Sequence, residues 1–176
     1  MLEVIFLGTN GWYDTKTGNT ISILIKSLHY NIVLDAGNGI AKLERYINDG
    51  KPVYLFISHF HLDHIIGLHT ISMNTFPAGL WIMVQDGSAT VLNQFVDAPF
   101  TIPFRHLPFI TKILEVPAQT QELPFTAVFL PLVHASPTLG MRLELDGKII
   151  AFCPDTGYCE NAIQLGRNAD LLIRVC

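Results

Sequence analysis

The residues best equipped for chemistry lie in one short segment, SHFHLDH, at positions 58–64. His59, His61 and His64 are three of only seven histidines in the chain, and Asp63 lies among them. Residues two apart in an extended backbone point to the same side, so His59 and His61 are placed to bind one ion. Asp63 and His64 point elsewhere and are placed to bind a second. Imidazole nitrogens with a few carboxylate oxygens suit Zn²⁺, and also Mn²⁺ or Fe. The alternative is a set of neighbouring polar residues on the surface.

This segment lies at a junction between a predicted strand and a predicted helix. The apolar run YLFIS precedes it, and HIIGLHTISMNTF follows with a helical pattern that Pro77 and Gly79 end. Side chains at such a junction are held by rigid elements and can converge on one site. The alternation of strand and helix patterns predicts a mixed α/β fold. The other predicted strands are LEVIFLGT (buried), two within TISILIKSLHYNIVLDAG, LWIMVQ, TKILEV, FTAVFLPLVH, GMRLELDG, KIIAFCPDT and DLLIRV; the other predicted helices are GIAKLERYIND, SATVLNQFV and CENAIQLGRNA.

Length and composition limit the classes of protein that remain. A chain of 176 residues with 49% hydrophobic and 15% charged residues predicts a single folded domain over residues 1–176. A net charge of −4 argues against an extended nucleic-acid surface or binding to an anionic membrane. The sequence shows neither a basic signal-peptide region nor an apolar run long enough to cross a bilayer, which predicts a cytoplasmic protein. Cys153, Cys159 and Cys176 are predicted to be reduced thiols.

The segment His59-x-His61-x-Asp63-His64 resembles the H-x-H-x-D-H signature of the metallo-β-lactamase-fold hydrolases. FLGTNGW…GNTISILI is similar to the opening hairpin of that family, VLDAGNG to its glycine loop, and CPDTGYCENAIQLGRNADLLI to the segment with its bridging aspartate. The resemblance extends over essentially the whole chain. It implies an α/β layered fold, an αββα sandwich with two metal ions along one edge of the two sheets.

The resemblance also implies roles for individual residues. His134 would be the third ligand of the first metal with His59 and His61, Asp155 would bridge both metals, and Asp63 and His64 would hold the second. Taken alone, His134 is equally consistent with a hydrogen-bonded core histidine, and Asp155 with a turn aspartate. Asp35 is expected to orient a ligand histidine from behind, because ligating imidazoles usually donate their other N–H to a carboxylate or carbonyl; a plain turn residue is the alternative.

One expected ligand has no counterpart in the sequence. Members of the family usually complete the second site with a histidine well downstream, whereas this chain has no histidine beyond His134. We expect a C-terminally incomplete version of the fold that lacks the usual final segment. The alternatives are a weak second site and a ligand supplied by a partner.

The expected cofactors are two divalent ions, with zinc favoured. A site with two such ions makes a phosphodiesterase the expected function. Paired metals can activate a bridging hydroxide and stabilise an in-line displacement at phosphorus, and Asp63 would orient that nucleophile. The resemblance is strongest to the branch of ribonuclease Z and the small cyclic phosphodiesterases. Only 21 positions separate His134 from Asp155, which leaves no room for a long transfer-RNA-binding arm, so a small or cyclic phosphodiester is the expected substrate.

Other functions and roles stay open. They are a lactone or ester hydrolase of the same fold, a non-catalytic metal-binding member with an incomplete second site, and, less favoured because of His61, a redox di-iron protein. The proline-rich segment 97–124 would shape substrate access or a homodimer interface, and an ordinary packed loop is an equal alternative. Trp12 and Tyr13 would stack on a base or sugar, or pack at an edge.

Overall fold

Two β-sheets pack face to face in the computed structural model, which describes residues 2–175. The first sheet has six strands in the order β1-β2-β3-β4-β5-β6, antiparallel from β1 to β3 and parallel from β3 to β6. The second has four strands in the order β10-β9-β8-β7, antiparallel except for the parallel pair β9 and β10. The strands are β1 Glu3–Gly8, β2 Ser22–Lys26, β3 Asn31–Leu34, β4 Val53–Phe56, β5 Leu80–Gln85, β6 Thr111–Val116, β7 Thr126–Leu132, β8 Thr138–Leu145, β9 Lys148–Cys153 and β10 Leu171–Arg174.

Helices cover the outer face of each sheet. The α-helices are α1 Leu62–Ile65, α2 Ala89–Phe95 and α3 Glu160–Gly166, and 3₁₀ helices span Asn38–Arg45, Ile66–Met73, Phe104–His106 and Thr120–Glu122. An apolar core that includes Phe56, Phe129 and Phe152 fills the space between the sheets. A second core lies between the first sheet and its helices, and a smaller one around Leu165 lies between the second sheet and α3. The predicted αββα sandwich is confirmed.

Most predicted strands and helices are present, with a few differences. The strand LEVIFLGT forms as β1, but it lies at a sheet edge, and Phe6 is exposed where a buried strand was expected. The predicted helix GIAKLERYIND is a 3₁₀ helix. The segment TKILEV pairs in parallel with β5 as the opposite edge strand. The predicted Asp-Gly turn between β8 and β9 is present, with positive φ at Asp146 and Gly147.

The helix that follows the histidine segment changes character after one turn. The backbone N–H of Gly67 donates to the carbonyl of Ala36 at 2.8 Å, and the N–H of Ala36 donates to the carbonyl of His64 at 2.7 Å. The N–H of Gly67 and the carbonyl of His64 are therefore unavailable for the hydrogen bonds that they would make in a continuous α-helix. The segment continues as a 3₁₀ helix that ends at Met73, before Pro77.

Cys153 and Cys159 carry free thiols as predicted, and Cys176 lies outside the described residues. Among residues 2–175, no helix combines the length and apolar character needed to cross a membrane.

Candidate metal centre

The predicted site residues lie where strands of both sheets end. Because β3 and β4 are parallel, Asp35 and His59, which follow them, lie at the same edge of the first sheet. α1 begins at this edge and carries Asp63 and His64. In the second sheet, His134 follows β7 and Asp155 follows β9. The backbone N–H of Leu139 donates to the carbonyl of Ser58 at 3.0 Å and so joins the two sheets beside the site.

Three histidine nitrogens converge in the first group of donors. Nδ1 of His61 lies 3.1 Å from Nε2 of His59 and 3.1 Å from Nε2 of His134. With an oxygen of Asp155, one donor atom from each residue lies within 4.8 Å of the others. The structure thus brings together the four residues that the resemblance assigned to the first metal.

A second group of donors adjoins the first. Nε2 of His64 lies 3.6 Å from Oδ2 of Asp63 and 3.7 Å from Oδ2 of Asp155. The same Asp155 oxygen is 3.8 Å from Nε2 of His134. Asp155 therefore lies between the two groups, as a bridging ligand would.

The carboxylate of Asp35 orients two of these histidines. It is fully buried, and its Oδ2 accepts hydrogen bonds from Nδ1 of His64 at 2.6 Å and from the hydroxyl of Ser58 at 2.8 Å. Its Oδ1 accepts the backbone N–H of Ser58 at 2.8 Å. The Ser58 hydroxyl also lies 3.0 Å from Nδ1 of His59. Because the single hydroxyl proton goes to Asp35, Ser58 accepts the Nδ1 proton of His59, which leaves the Nε2 lone pair directed at the cluster.

Ser58 is the functional contact that the sequence reasoning missed. Its position at the end of a strand, directly before the first histidine, was the available signal. The sequence does not show that its hydroxyl connects His59 to Asp35, because that contact depends on the pairing of β3 with β4.

Burial and neighbouring charges affect the two buried histidines in opposite directions. Burial, together with the nearby rings of His64, His61 and His134, lowers the pKa of His59 to about 2, so its imidazole is neutral. Burial also opposes charge on His64. The charge of Asp35 and its hydrogen bond, with Asp63 and Asp155, outweigh burial and raise the pKa of His64.

The donors fit a divalent metal ion. Nε2 of His64 is buried and has no hydrogen-bond partner among the described residues, which is costly unless a ligand satisfies it. Nδ1 of His61 lies 3.1 Å from both Nε2 of His59 and Nε2 of His134, and a single proton on it could satisfy only one of these two neighbours. Zn–N bonds of about 2.0–2.1 Å at tetrahedral angles place nitrogens about 3.3 Å apart, which is close to the observed spacing.

An αββα sandwich with this cluster at the sheet edge defines a metallo-β-lactamase-fold protein of the metal-dependent hydrolase class. Residues 30–174 match the family model of the beta-lactamase superfamily domain, and the chain belongs to that family.

Similar proteins span most of the chain. It is 25% identical over 180 residues to the probable metallo-hydrolase YhfI of Bacillus subtilis, covering 99% of this chain and 72% of YhfI. It is 27% identical over 233 residues to ribonuclease Z of Macrococcus caseolyticus, covering 99% and 76%. The crystal structure of YhfI superposes with a TM-score of 0.74 at 24% identity, covering 97% of this chain and 69% of that one. The short form of human tRNase Z gives a TM-score of 0.71 at 22% identity, covering 98% and 76%, so both structures share the fold.

Proposed function

We propose that this protein hydrolyses a small or cyclic phosphodiester with two divalent metal ions. The observation that carries the proposal is the position of Asp155 between two adjacent donor groups. The first group is His59, His61 and His134, and the second is Asp63 and His64. The mixture of nitrogen and oxygen donors favours zinc, with manganese or iron as alternatives.

The charge of such a site favours an anionic substrate. When bound, two divalent ions supply Lewis acidity and lower the pKa of a water molecule towards neutrality. Asp63 and Asp155 together offset only part of that positive charge. The carboxylate of Asp35 is engaged with His64 and Ser58. A phosphodiester would therefore be attracted into a locally positive hollow on a chain whose net charge is −4.

Each side chain has a defined task in this proposal. His59, His61 and His134 hold their nitrogens towards one point, and Asp35 fixes the orientation of His64 directly. Asp63 is largely buried and has Oδ2 near His64, so it would orient the attacking water and accept its proton.

The chain between His134 and Asp155 supports a small substrate. The 20 residues between them consist mainly of β8, β9 and the tight turn that joins these strands, which leaves no long insertion. The alignment with ribonuclease Z runs over 233 positions, more than the length of this chain, so that enzyme has segments without a counterpart here. The alignment with YhfI needs only 180 positions.

The decisive experiment compares two histidine variants on a chromogenic phosphodiester. The purified protein, reconstituted with zinc or manganese, is assayed with bis(p-nitrophenyl) phosphate alongside measurement of bound metal. His59→Ala should lower turnover by more than about 100-fold, since losing even a residue that orients a ligand costs 10–100-fold. His69→Ala is the control, because His69 is exposed and its Nδ1 contacts the carbonyl of Ile66 in its own helical turn.

Three outcomes would overturn the proposal. Undiminished turnover in His59→Ala would remove the metal mechanism. Turnover of lactones or carboxylic esters, with none of the phosphodiester, would favour an ester hydrolase of the same fold. Fewer than two metal ions per chain and no turnover of either class would favour a non-catalytic metal-binding protein.

A further inference from the structure

The loop between β1 and β2 carries two exposed aromatic side chains and contacts the candidate metal centre through its backbone. Trp12 is 89% exposed and Tyr13 is 70% exposed. The backbone N–H of Trp12 donates to Oδ2 of Asp63 at 2.8 Å. That oxygen is the one that lies 3.6 Å from Nε2 of His64. Trp12 is thus attached directly to a residue of the second donor group while its indole faces solvent.

The rest of the loop is anchored by hydrogen bonds that do not involve these two aromatic rings. Asp14, the next residue, accepts three hydrogen bonds with its carboxylate. The donors are the backbone N–H of Thr20 at 2.7 Å and the side-chain amides of Asn19 and Asn38, both at 3.0 Å. The polar side of the loop therefore faces the protein, and its aromatic side faces outward.

The backbone at Trp12 is held in an unusual conformation. Its φ is +60°, in the left-handed region. The other non-glycine residues with positive φ in the described chain are Asp35, Asp146 and Asn168, whose short polar side chains tolerate this region. A bulky residue keeps such a conformation only where surrounding contacts enforce it, and such strain is concentrated at functional sites. Two hydrogen bonds hold Trp12 in this conformation: the backbone N–H of Tyr13 donates to the carbonyl of Gly11 at 2.7 Å, and the N–H of Trp12 donates to Asp63.

We infer that Trp12, with Tyr13 beside it, is a stacking subsite for a planar base, so that the phosphodiesters this site prefers carry a nucleoside. This inference rests on the proposed function, which places the phosphate at the metal centre. A nucleotide carries its phosphate and its base on the same sugar, so one molecule can contact both the metal centre and the adjacent aromatic loop. An exposed indole offers a flat apolar face on which a base can stack with little dependence on its identity.

The test compares two ligands that differ in the base alone. Adenosine 5′-monophosphate and ribose 5-phosphate are titrated into the zinc-loaded protein by calorimetry, which needs no turnover. The nucleotide should bind roughly 5–150-fold more tightly, the range expected for one base stacked on one aromatic ring. In Trp12→Ala this difference should disappear while the affinity for ribose 5-phosphate is unchanged. Trp12→Phe should keep part of it.

The matched control is Phe100→Ala, which removes an aromatic ring that is 84% exposed in the segment 97–124. It should leave both affinities unchanged. If the wild-type protein binds both ligands equally, the stacking inference is wrong while the phosphate site stands. If Trp12→Ala weakens both ligands by the same factor, Trp12 acts by holding Asp63, and the inference is also wrong. If neither ligand binds the zinc-loaded wild-type protein, the proposed function itself fails.

Discussion

Asp35 is a single residue on which the orientation of both buried histidines depends. Its two oxygens accept hydrogen bonds from His64 and, twice, from Ser58, and Ser58 in turn contacts His59. All four groups are buried, so no water can replace a lost partner cheaply. A charge-neutral change at Asp35 should therefore affect both donor groups.

We predict that Asp35→Asn lowers zinc affinity by about 10–100-fold and destabilises the protein by roughly 1–3 kcal/mol. The amide would turn one of the two acceptor oxygens into a donor, which leaves at least one of its buried partners unpaired. Competition with a chromogenic chelator measures the affinity, and urea unfolding measures the stability. Asp170→Asn is the control, since Asp170 is an exposed carboxylate that accepts hydrogen bonds from Lys148 and Ile149 away from the site. Equal zinc affinities of the two variants would contradict the role given to Asp35.

The pKa of His59 predicts how the metal-free protein responds to acid. The unfolded chain binds a proton at His59 below pH about 6.5, whereas in the folded protein the pKa is about 2. Because the unfolded state then binds more protons, stability is lost as the pH falls below 6.5, by at most about 1.4 kcal/mol per pH unit from this residue. The raised pKa of His64 acts in the other direction, and its contribution is already complete below pH 6.5.

We therefore expect the wild-type protein in a chelator to lose about 1.5 kcal/mol of unfolding free energy from His59 between pH 6.5 and 5.0. Urea unfolding at several pH values in this window measures the slope, above the range where carboxylates titrate. His59→Gln should lose less, and the exposed-site control His69→Gln should follow the wild type. If the unfolding free energy of His59→Gln fell with pH as steeply as that of the wild type, the lowered pKa of His59 would not be the cause.

At the scale of elements, the loop after β3 is fixed by close backbone packing against α1. Gly37 has an ordinary φ of −64°, but a Cβ there would lie far inside contact distance of the Asp63 carbonyl oxygen and 2.7 Å from that of Ile21. The loop that carries Asp35 and the helix that carries Asp63 and His64 are thus pressed together without room for a side chain. This packing sets the distance between the two parts of the site.

We predict that Gly37→Ala destabilises the protein by roughly 2–4 kcal/mol and also weakens zinc binding, because the backbone of Asp63 must move. The control is Gly50→Ala, where φ is +68° and no atom lies within 4 Å of the added Cβ. Left-handed strain alone should cost about 1–2 kcal/mol there and leave zinc binding unchanged. The urea midpoint and a zinc titration check both. If the two variants behaved alike in zinc binding, the backbone contact would not position the site.

The sequence was sufficient to predict the elements whose signals are local. Apolar runs located the strands, the Asp-Gly pair located the β8–β9 turn, and the histidine spacing located one side of the site. Only the resemblance to the metallo-β-lactamase-fold hydrolases predicted that His134 and Asp155, which follow strands of the other sheet, join the same site. Ser58, the backbone contact of Trp12 and the 3₁₀ character after Ile65 were not predictable, because each depends on hydrogen bonds between distant segments.

In the whole molecule, the candidate centre is a place where the two sheets meet. Asp63 and the histidines at 59, 61 and 64 belong to the end of the first sheet, and His134 and Asp155 to the end of the second. Near these residues, the sheets are also joined by the hydrogen bond from Leu139 to Ser58. A metal ion held by both sets of ligands would therefore connect the sheets as well as serve catalysis.

We accordingly predict that zinc stabilises the fold as a whole. At a free zinc concentration 100 times the dissociation constant, binding at one site adds about 2.7 kcal/mol, which for a chain of this size raises Tm on the order of 5–10 °C. His134→Ala should lose most of this gain because it removes the proposed ligand from the second sheet, while His69→Ala should keep it. Thermal unfolding with zinc and with a chelator measures the difference.

Hydrogen exchange provides an independent measurement of the same link. The Leu139 N–H, whose acceptor lies on the other sheet, should exchange more slowly with zinc bound in the wild type, because separating the sheets exposes it. In His134→Ala the protection should fall towards that of the metal-free protein. The amide of Ile82, in the interior strand β5, which contributes no residue to the candidate site, serves as the internal reference. If zinc raised Tm but changed the exchange of Leu139 no more than that of Ile82, the metal would stabilise the protein without connecting its sheets.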